Sequence, residues 1–547
     1  MDARETKPIG LVQVGKVDSG MNESRPQLYD DASTKRSPTG VRRIFSFAQM
    51  FGFALSYMSS WEAISTNIGL IYWNGGPRAL VWGFFIVIPG VLCQVASLSE
   101  LASIQPIAGA QYHWTWHLAP PKYQRFITWM QGWVTWFSWV SVLAGGINIC
   151  ANSTLVIVSA NYPNYVLQNW HTILLMYAFA IIFGFMNMYT FWLIPWLEFL
   201  AGVLHVILWI VFAVVLLVLA PKHSTEYVFL GNSSQSGWTD DFTGFNLGII
   251  LLTWGFVGFD AAVHVSEETR KARWAIPRSM FWSICVNAAM AFGMVIIFLY
   301  TMGDMEALSA SPYPLMTLCL NATGSLAGAS AMLGAALCIL VSATLGSVAS
   351  ASRLTWAWAR DGALPAYFAY VSPKYRIPLR AVWLPIVIVM LLSLLNLAGY
   401  VAFSVILALS TFGLYQSYII AIACMLHARL TGRVQNAPWS LGRWGVPTNI
   451  FALVYSAWLA VFMVFPTYVP VSHGFVHELR LADQRVGLGP RVDHVVRVCE
   501  QEVEGSGYRP HGQGHRGWRS GYRGLGVMVA LCSVSGVDHA IRIGEKF

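Results

Sequence analysis

The chain has 547 residues, 56% of them hydrophobic and only 11% charged, with 24 tryptophans, and its mean hydropathy of +0.54 is too oily for a soluble domain. Its formal net charge of +8 does not point to nucleic acid, because the basic residues fall mostly in short loops between apolar runs, as in a polytopic membrane protein. Cys93, Cys150, Cys285, Cys338 and Cys424 lie inside apolar runs and Cys319 stands alone, with no spacing that suggests zinc, so neither a metal nor a cofactor is expected.

Residues 1–43 are polar, carry Lys7, Lys16, Arg25, Lys35, Arg36, Arg42 and Arg43, and contain no apolar run long enough for a signal peptide. They are expected to form a disordered cytoplasmic tail. Residues 44–469 are expected to form an all-α transmembrane domain, with apolar runs at 45–72, 79–104, 128–158, 171–191, 194–219, 245–267, 281–303, 327–357, 382–398, 401–426 and 447–469. Most are close to the ~20 residues that cross a bilayer, which gives about eleven spans, the fourth and fifth divided only near Pro195.

With the amino terminus inside, Lys122 and Arg125, the group Arg270 to Arg278, the group Arg353 to Arg380, and Arg429 to Arg443 all fall on the cytoplasmic side. The opposite face keeps Arg78 and Lys222, and it also receives the sequons that begin at Asn232 and Asn321.

Two spans are interrupted by polar groups. In the first, Ser59-Ser60-Trp61-Glu62 puts an acid in the middle of an apolar run; in the sixth, Trp254-Gly255-Phe256-Val257-Gly258-Phe259-Asp260 combines two helix-weakening glycines, Gly255 and Gly258, with a second acid. The two spans stand five helices apart, the pattern of two inverted five-helix repeats whose first helices are both broken at the midplane. Ionisable groups and broken helices at that depth line cavities or pathways.

Three separated motifs carry a resemblance: WGFVGFD followed by HVSEETRKARWAIPRSM, SELASIQPIAGAQYHWTWHLAP at Ser99–Pro120, and SRLTWAWARDGALP at Ser352–Pro365. They resemble the fungal amino acid/choline transporters of the amino acid–polyamine–organocation superfamily, over about Ile44 to Pro466. The resemblance implies a leucine-transporter-like 5+5 inverted repeat, alternating access around a site between the first and sixth helices, and twelve spans. It also puts Trp254 and Val257 at pocket-lining positions. Where amino-acid-binding members carry a small Gly-Ser-Gly-like stretch that holds the substrate carboxylate, this chain has Trp61-Glu62-Ala63.

An acid at that place repels an anionic head group, whereas an acid beside aromatic faces suits an ammonium. The expected substrate site is Ser59, Ser60, Trp61, Glu62, Trp254, Phe256, Val257, Phe259 and Asp260, and the expected cargo is an organic cation, choline foremost. The alternative is an amino acid or γ-aminobutyrate. Glu198 and His205 lie seven apart near one face of the fifth span, where a proton relay competes with plain interhelical hydrogen bonding. Glu100, Glu267 and Glu268 border basic loops and are expected to form salt bridges there. Ser342, Thr344, Gly346, Ser347, Ser350 and Ser352 of the eighth span read as close-packing positions, and no set of oxygen ligands for sodium is identifiable, so H+ is the expected coupling ion.

After Pro470 the chain turns Gly-, Arg- and His-rich, and its one late apolar run, Leu525–Val534, is too short to cross. Residues 470–547 are expected to be an atypical tail; a gene-model artefact that replaces the twelfth helix is preferred to a regulatory extension. The chain as a whole is expected to be a multi-pass, proton-coupled symporter of the plasma membrane. A non-transporting nutrient sensor is the rival of another class. An enzyme is not expected, since no nucleophile–base pair, metal cluster or phosphate loop is visible.

Overall fold

The computed structural model describes residues 41–466 apart from 232–235, 239, 304–307, 309–310, 312 and 399. Residues 1–40 and 467–547, which include nearly all of both tails, and the Asn232 sequon lie outside the described residues. Within them, ten helices are long and apolar enough to cross a membrane, and no strand forms beyond an isolated bridge between Phe45 and Thr269. The first of the eleven expected spans is divided into Phe47–Met58 and Ser60–Trp82, and neither piece is one of the ten.

The remaining spans follow the apolar runs. The second is Phe84–Ile104, the third Gln124–Asn161 and the fourth Asn169–Tyr189. The fifth is Ile194–Leu219, which takes Pro195 into its first turn, where a missing N–H costs no hydrogen bond. The sixth is again in pieces, Asp241–Thr253 and Ala261–His264. The seventh is Ala272–Thr301, the eighth Leu326–Arg360, the ninth Leu379–Ser393, the tenth Tyr400–Leu430 and the eleventh Gly445–Phe462. A short helix, Ala110–Leu118, interrupts the loop between the second and third.

Sidedness is clear on the fifth span. Val203, Val206, Ile207, Ile210 and Val214 are exposed, whereas Glu198, Gly202 and His205 are buried. In a bilayer the first set meets lipid and the second meets protein. Small residues let the spans come close. A Cβ on Gly202 would lie 3.0 Å from the Gly52 backbone, and one on Gly248 would lie 2.7 Å from Ala79 Cβ. The Ser60–Trp82 and Asp241–Thr253 pieces therefore touch, and Phe47–Met58 lies flat on the fifth span; with the orientation expected from the basic loops, the first two are outer halves and the last is the inner half of the first span.

The inner ends of the same helices are also joined. The amides of Ile44 and Phe45 donate to the Glu268 carbonyl at 2.8 and 3.1 Å, and Arg270 N returns a bond of 3.0 Å to the Phe45 carbonyl. Arg353, at the inner end of the eighth span, is 2% exposed and donates from Nη2 to Glu268 Oε1 at 3.0 Å. Arg360 donates to Glu267 at 3.2 Å, and Arg429 pairs with Glu100. The three acids expected in salt bridges are in them.

Candidate functional site

The first-span break is narrower than expected. Ser59 alone leaves the helix, in the left-handed conformation (φ 40°, ψ 48°), which costs a non-glycine residue roughly 1–2 kcal/mol. Ser60, Trp61 and Glu62 already form the first turn of the outer half. The loose groups at the break are taken up by neighbours. Asn287 of the seventh span donates from Nδ2 to the Leu55 carbonyl at 3.2 Å and accepts from Ser60 N at 3.3 Å, so one amide caps both broken ends. Ser59 Oγ donates to the Ser56 carbonyl, and Ser60 Oγ donates to the Gly255 carbonyl at 2.5 Å. That last bond joins the two breaks.

The sixth-span break is longer. Trp254–Phe256 tighten into a single 3-10 turn, Val257 is extended (φ −86°, ψ 146°), and Gly258 takes φ +87° with no room for a side chain, since a Cβ would lie 2.8 Å from Tyr57 Cε1. Gly255 is equally tight, because a Cβ there would lie 2.9 Å from Ile64 Cγ1. Only glycine meets both demands at 258, positive φ and close approach.

Asp260 lies at the base of this break and is completely buried. Its Oδ1 accepts from Tyr418 Oη of the tenth span at 2.6 Å; its Oδ2 accepts from Gln111 Nε2 of the loop helix at 2.5 Å and from Trp139 Nε1 of the third span at 3.2 Å. His264 Nε2 stands 3.5 Å from the same oxygen. A buried carboxylate needs its lone pairs met, and here three elements donate to them, with His264 close by. Tyr418 Oη also accepts from Gly258 N at 3.3 Å, and its ring lies 4.9 Å from that of Phe259.

The two midplane acids do not share one site. Glu62 turns toward the fifth span, where its Oε1 lies 2.8 Å from His205 Nδ1. Trp61 follows it, stacked on the His205 ring at 6.1 Å and packed on Phe212 at 5.0 Å. Glu198 and His205 are on one helical face, but each meets a different half of the first span. Glu198 Oε2 accepts from Ser56 Oγ at 2.8 Å, below the break, and His205 meets Glu62 above it. Phe256 packs edge-on against Phe84 of the second span at 6.1 Å. Trp254 and Val257 remain half-buried.

Of the partners that sequence reasoning missed, Gln111 sits inside the Ser99–Pro120 motif, and Asn287 is the one polar side chain in the run Ile284–Met294 apart from Cys285. Both carried a signal. Trp139 and Tyr418 are aromatics in an aromatic-rich chain and carried none. The segment just before the loop helix also meets the lower sixth span at His264, whose Nδ1 lies 2.8 Å from the Ala108 carbonyl, and at Glu267, which accepts from Ala108 N at 3.3 Å. On the far side of that helix, burial and then the neighbouring His117 push His113 down to about 4, so it is neutral near pH 7. Among the described residues no group of three or more His, Cys, Asp or Glu is placed to hold a metal ion.

Two helices broken at facing points, with acids and aromatics gathered around the breaks, define a multi-pass membrane transporter of the inverted-repeat class. The family model for amino acid permease matches residues 45–476, and the chain belongs to that family. A putative amino acid/polyamine transporter of Macrophomina phaseolina is 27% identical over 439 residues, 77% of this chain and 95% of the relative. The choline transporter of Saccharomyces cerevisiae is 29% identical over 444 residues, 79% of this chain and 77% of the relative. Amino-acid permease 2 of Neurospora crassa is 27% identical over 448 residues, 79% of this chain and 80% of the relative.

Proposed function

We propose that this chain is a secondary active transporter that imports a small quaternary-ammonium cation, choline foremost, by alternating access, with proton coupling and at the plasma membrane. The observation that carries the substrate reading is the state of the hydrogen-bond acceptors at the two breaks. The Leu55, Ser56 and Gly255 carbonyls each receive a side-chain donor, and both Asp260 oxygens are engaged; the unpartnered carboxylate oxygens, Glu62 Oε2 and Glu198 Oε1, belong to side chains whose other oxygens bond across the contact between the first and fifth spans. A primary ammonium needs free acceptors for its three N–H groups. A quaternary ammonium needs none and is held by aromatic faces and a nearby negative charge.

Such faces surround the Gly258 break. Tyr57 and Trp139 have ring centroids 5.8 Å apart, Phe259 and Tyr418 lie beside them, and Trp254 is half-buried at the upper edge. In this reading Ser59, Ser60, Trp254, Val257 and Phe259 border the cation and Asp260 supplies the field. The relative named as a choline transporter supports the same reading. Each cation–π face contributes roughly 0.5–2 kcal/mol, so two or three account for useful selectivity.

A second reading has one specific observation in its favour. Ser59 makes no side-chain bond to the start of the outer half of the first span and Asn287 takes up the Ser60 amide, so the amides that follow in that first turn suit the carboxylate of an amino acid. Uptake of labelled choline in a yeast strain lacking its own choline transporter discriminates. Saturable uptake, competed by unlabelled choline and not by amino acids, is expected. Competition by an amino acid alone replaces the cargo, and correctly localised protein that moves neither favours a sensor.

A further inference from the structure

Glu62 and His205 leave three polar atoms unanswered. Glu62 Oε2, His205 Nε2 and the indole Nε1 of Trp61 are buried and have no hydrogen-bond partner, although the three side chains form one cluster through the 2.8 Å bond and the 6.1 Å stack. Buried polar groups are nearly always paired, so three orphans in one place mark a position where something labile binds. From this geometry we infer that the Glu62–His205 pair is the proton site of the transport cycle, with Nε2 of His205 as the atom that gains and loses the proton. The inference rests on the transport reading above and assigns it a proton carrier.

The proton balance is simple. In the loaded state His205 is an imidazolium, donates Nδ1–H to Glu62 Oε1 and carries a second proton on Nε2; the pair has net charge zero. On release the Nε2 proton leaves to water, the Nδ1–H bond stays, and the pair carries one negative charge. In a dehydrated site a lone negative charge is strongly disfavoured, so closure over the cargo favours the loaded pair. The position matters mechanically, because the pair fastens the outer half of the first span to the fifth, while Ser56–Glu198 and the Gly52–Gly202 contact fasten the inner half.

Few charges compete with it. Glu198, on the same helix, bonds to Ser56 through Oε2 while its Oε1 is a single orphan apart from the cluster of three, and Asp260 and His264 of the sixth span lie beside each other, with His264 Nε2 also unpartnered. The first span itself adds Tyr57, Tyr72 and Arg78, and the seventh adds Cys285, Tyr300 and, at its inner end, Arg273 and Arg278. The eighth adds Cys338 and, at its inner end, Arg353 and Arg360, which pair with Glu268 and Glu267. The helices packed on the outer half add Glu226, Tyr227, Asp241 and Cys319, and the second span adds Cys93 and Glu100. Within salt-bridge distance among the described residues, Glu62 has His205 as its partner.

The full chain, reconstituted in vesicles, is assayed in two ways with labelled choline: accumulation driven by an inward proton gradient, and counterflow exchange without one. His205→Gln and Glu62→Gln are expected to lose gradient-driven accumulation by about tenfold or more while counterflow falls by no more than about threefold. Glu198→Gln is expected to keep the gradient response. His205→Arg keeps a cation beside Glu62 that is not deprotonated in proteins, and it is expected to transport without pH dependence, which covers the case of a misfolded glutamine variant. Accumulation that responds to the gradient normally in His205→Gln or His205→Arg overturns the assignment, as does its loss in Glu198→Gln alone. If the unaltered chain shows no choline counterflow, the substrate reading fails instead, and the same variants are then scored with the amino acid that does exchange.

Discussion

The two helix breaks sit in equivalent places of opposite repeats and are built from opposite chemistry. In the sixth span the break is made by Gly258, and its acid is tied by Tyr418, Trp139 and Gln111 to the tenth span, the third span and the loop helix. In the first span the break is a single serine, its ends are capped by one asparagine, and its acid has one titratable partner. An acid with several fixed donors is held in one state, whereas an acid paired with a histidine has two. The sixth break is accordingly the anchored side of the site and the first break the side free to respond.

The largest test of this contrast is Asp260→Ala. It leaves the Tyr418, Gln111 and Trp139 donors buried without an acceptor, and a loss on the order of 3–5 kcal/mol is expected, read as a large fall in the melting temperature of the detergent-solubilised protein. Glu62→Gln, which keeps an acceptor for His205, should shift the same curve far less. Equal shifts in the two variants would erase the distinction between anchored and responsive breaks.

Gly258→Ala comes next. Left-handed strain and the contact with the Tyr57 ring together should cost about 2–4 kcal/mol, with uptake impaired in whatever protein reaches the membrane. Should that variant melt normally, Tyr57 must move aside and the sixth break is less rigid than its bonds suggest.

Asn287→Ala uncaps both ends of the first break for about 1–2 kcal/mol. Its sharper readout is the hydrogen exchange of residues 55–60, which should quicken while that of residues 256–261 does not. Smallest of all is Ser59→Gly, where relief of the left-handed strain offsets the lost hydroxyl bond to Ser56; a net change under about 1 kcal/mol is expected. A destabilisation several times larger would mean that the Ser59 hydroxyl, and not the backbone, fixes the break.

Sequence alone determined the parts of this protein that depend on local chemistry. Apolar runs of bilayer length locate the spans, because hydrocarbon tolerates little else, and the polar interruptions at Ser59–Glu62 and Trp254–Asp260 mark the breaks. The acids Glu100, Glu267 and Glu268 were legible as salt-bridge partners because basic loops adjoin them. What the two midplane acids touch was not legible. Glu62 and His205 are 143 residues apart, and Asp260 reaches Gln111 across 149 residues and Tyr418 across 158. No local periodicity encodes such pairings. Which donor meets which carboxylate depends on the rotation of each helix about its axis, and that rotation is set by close contacts such as Gly52 on Gly202 and Gly258 on Tyr57, which exist only once the bundle has packed.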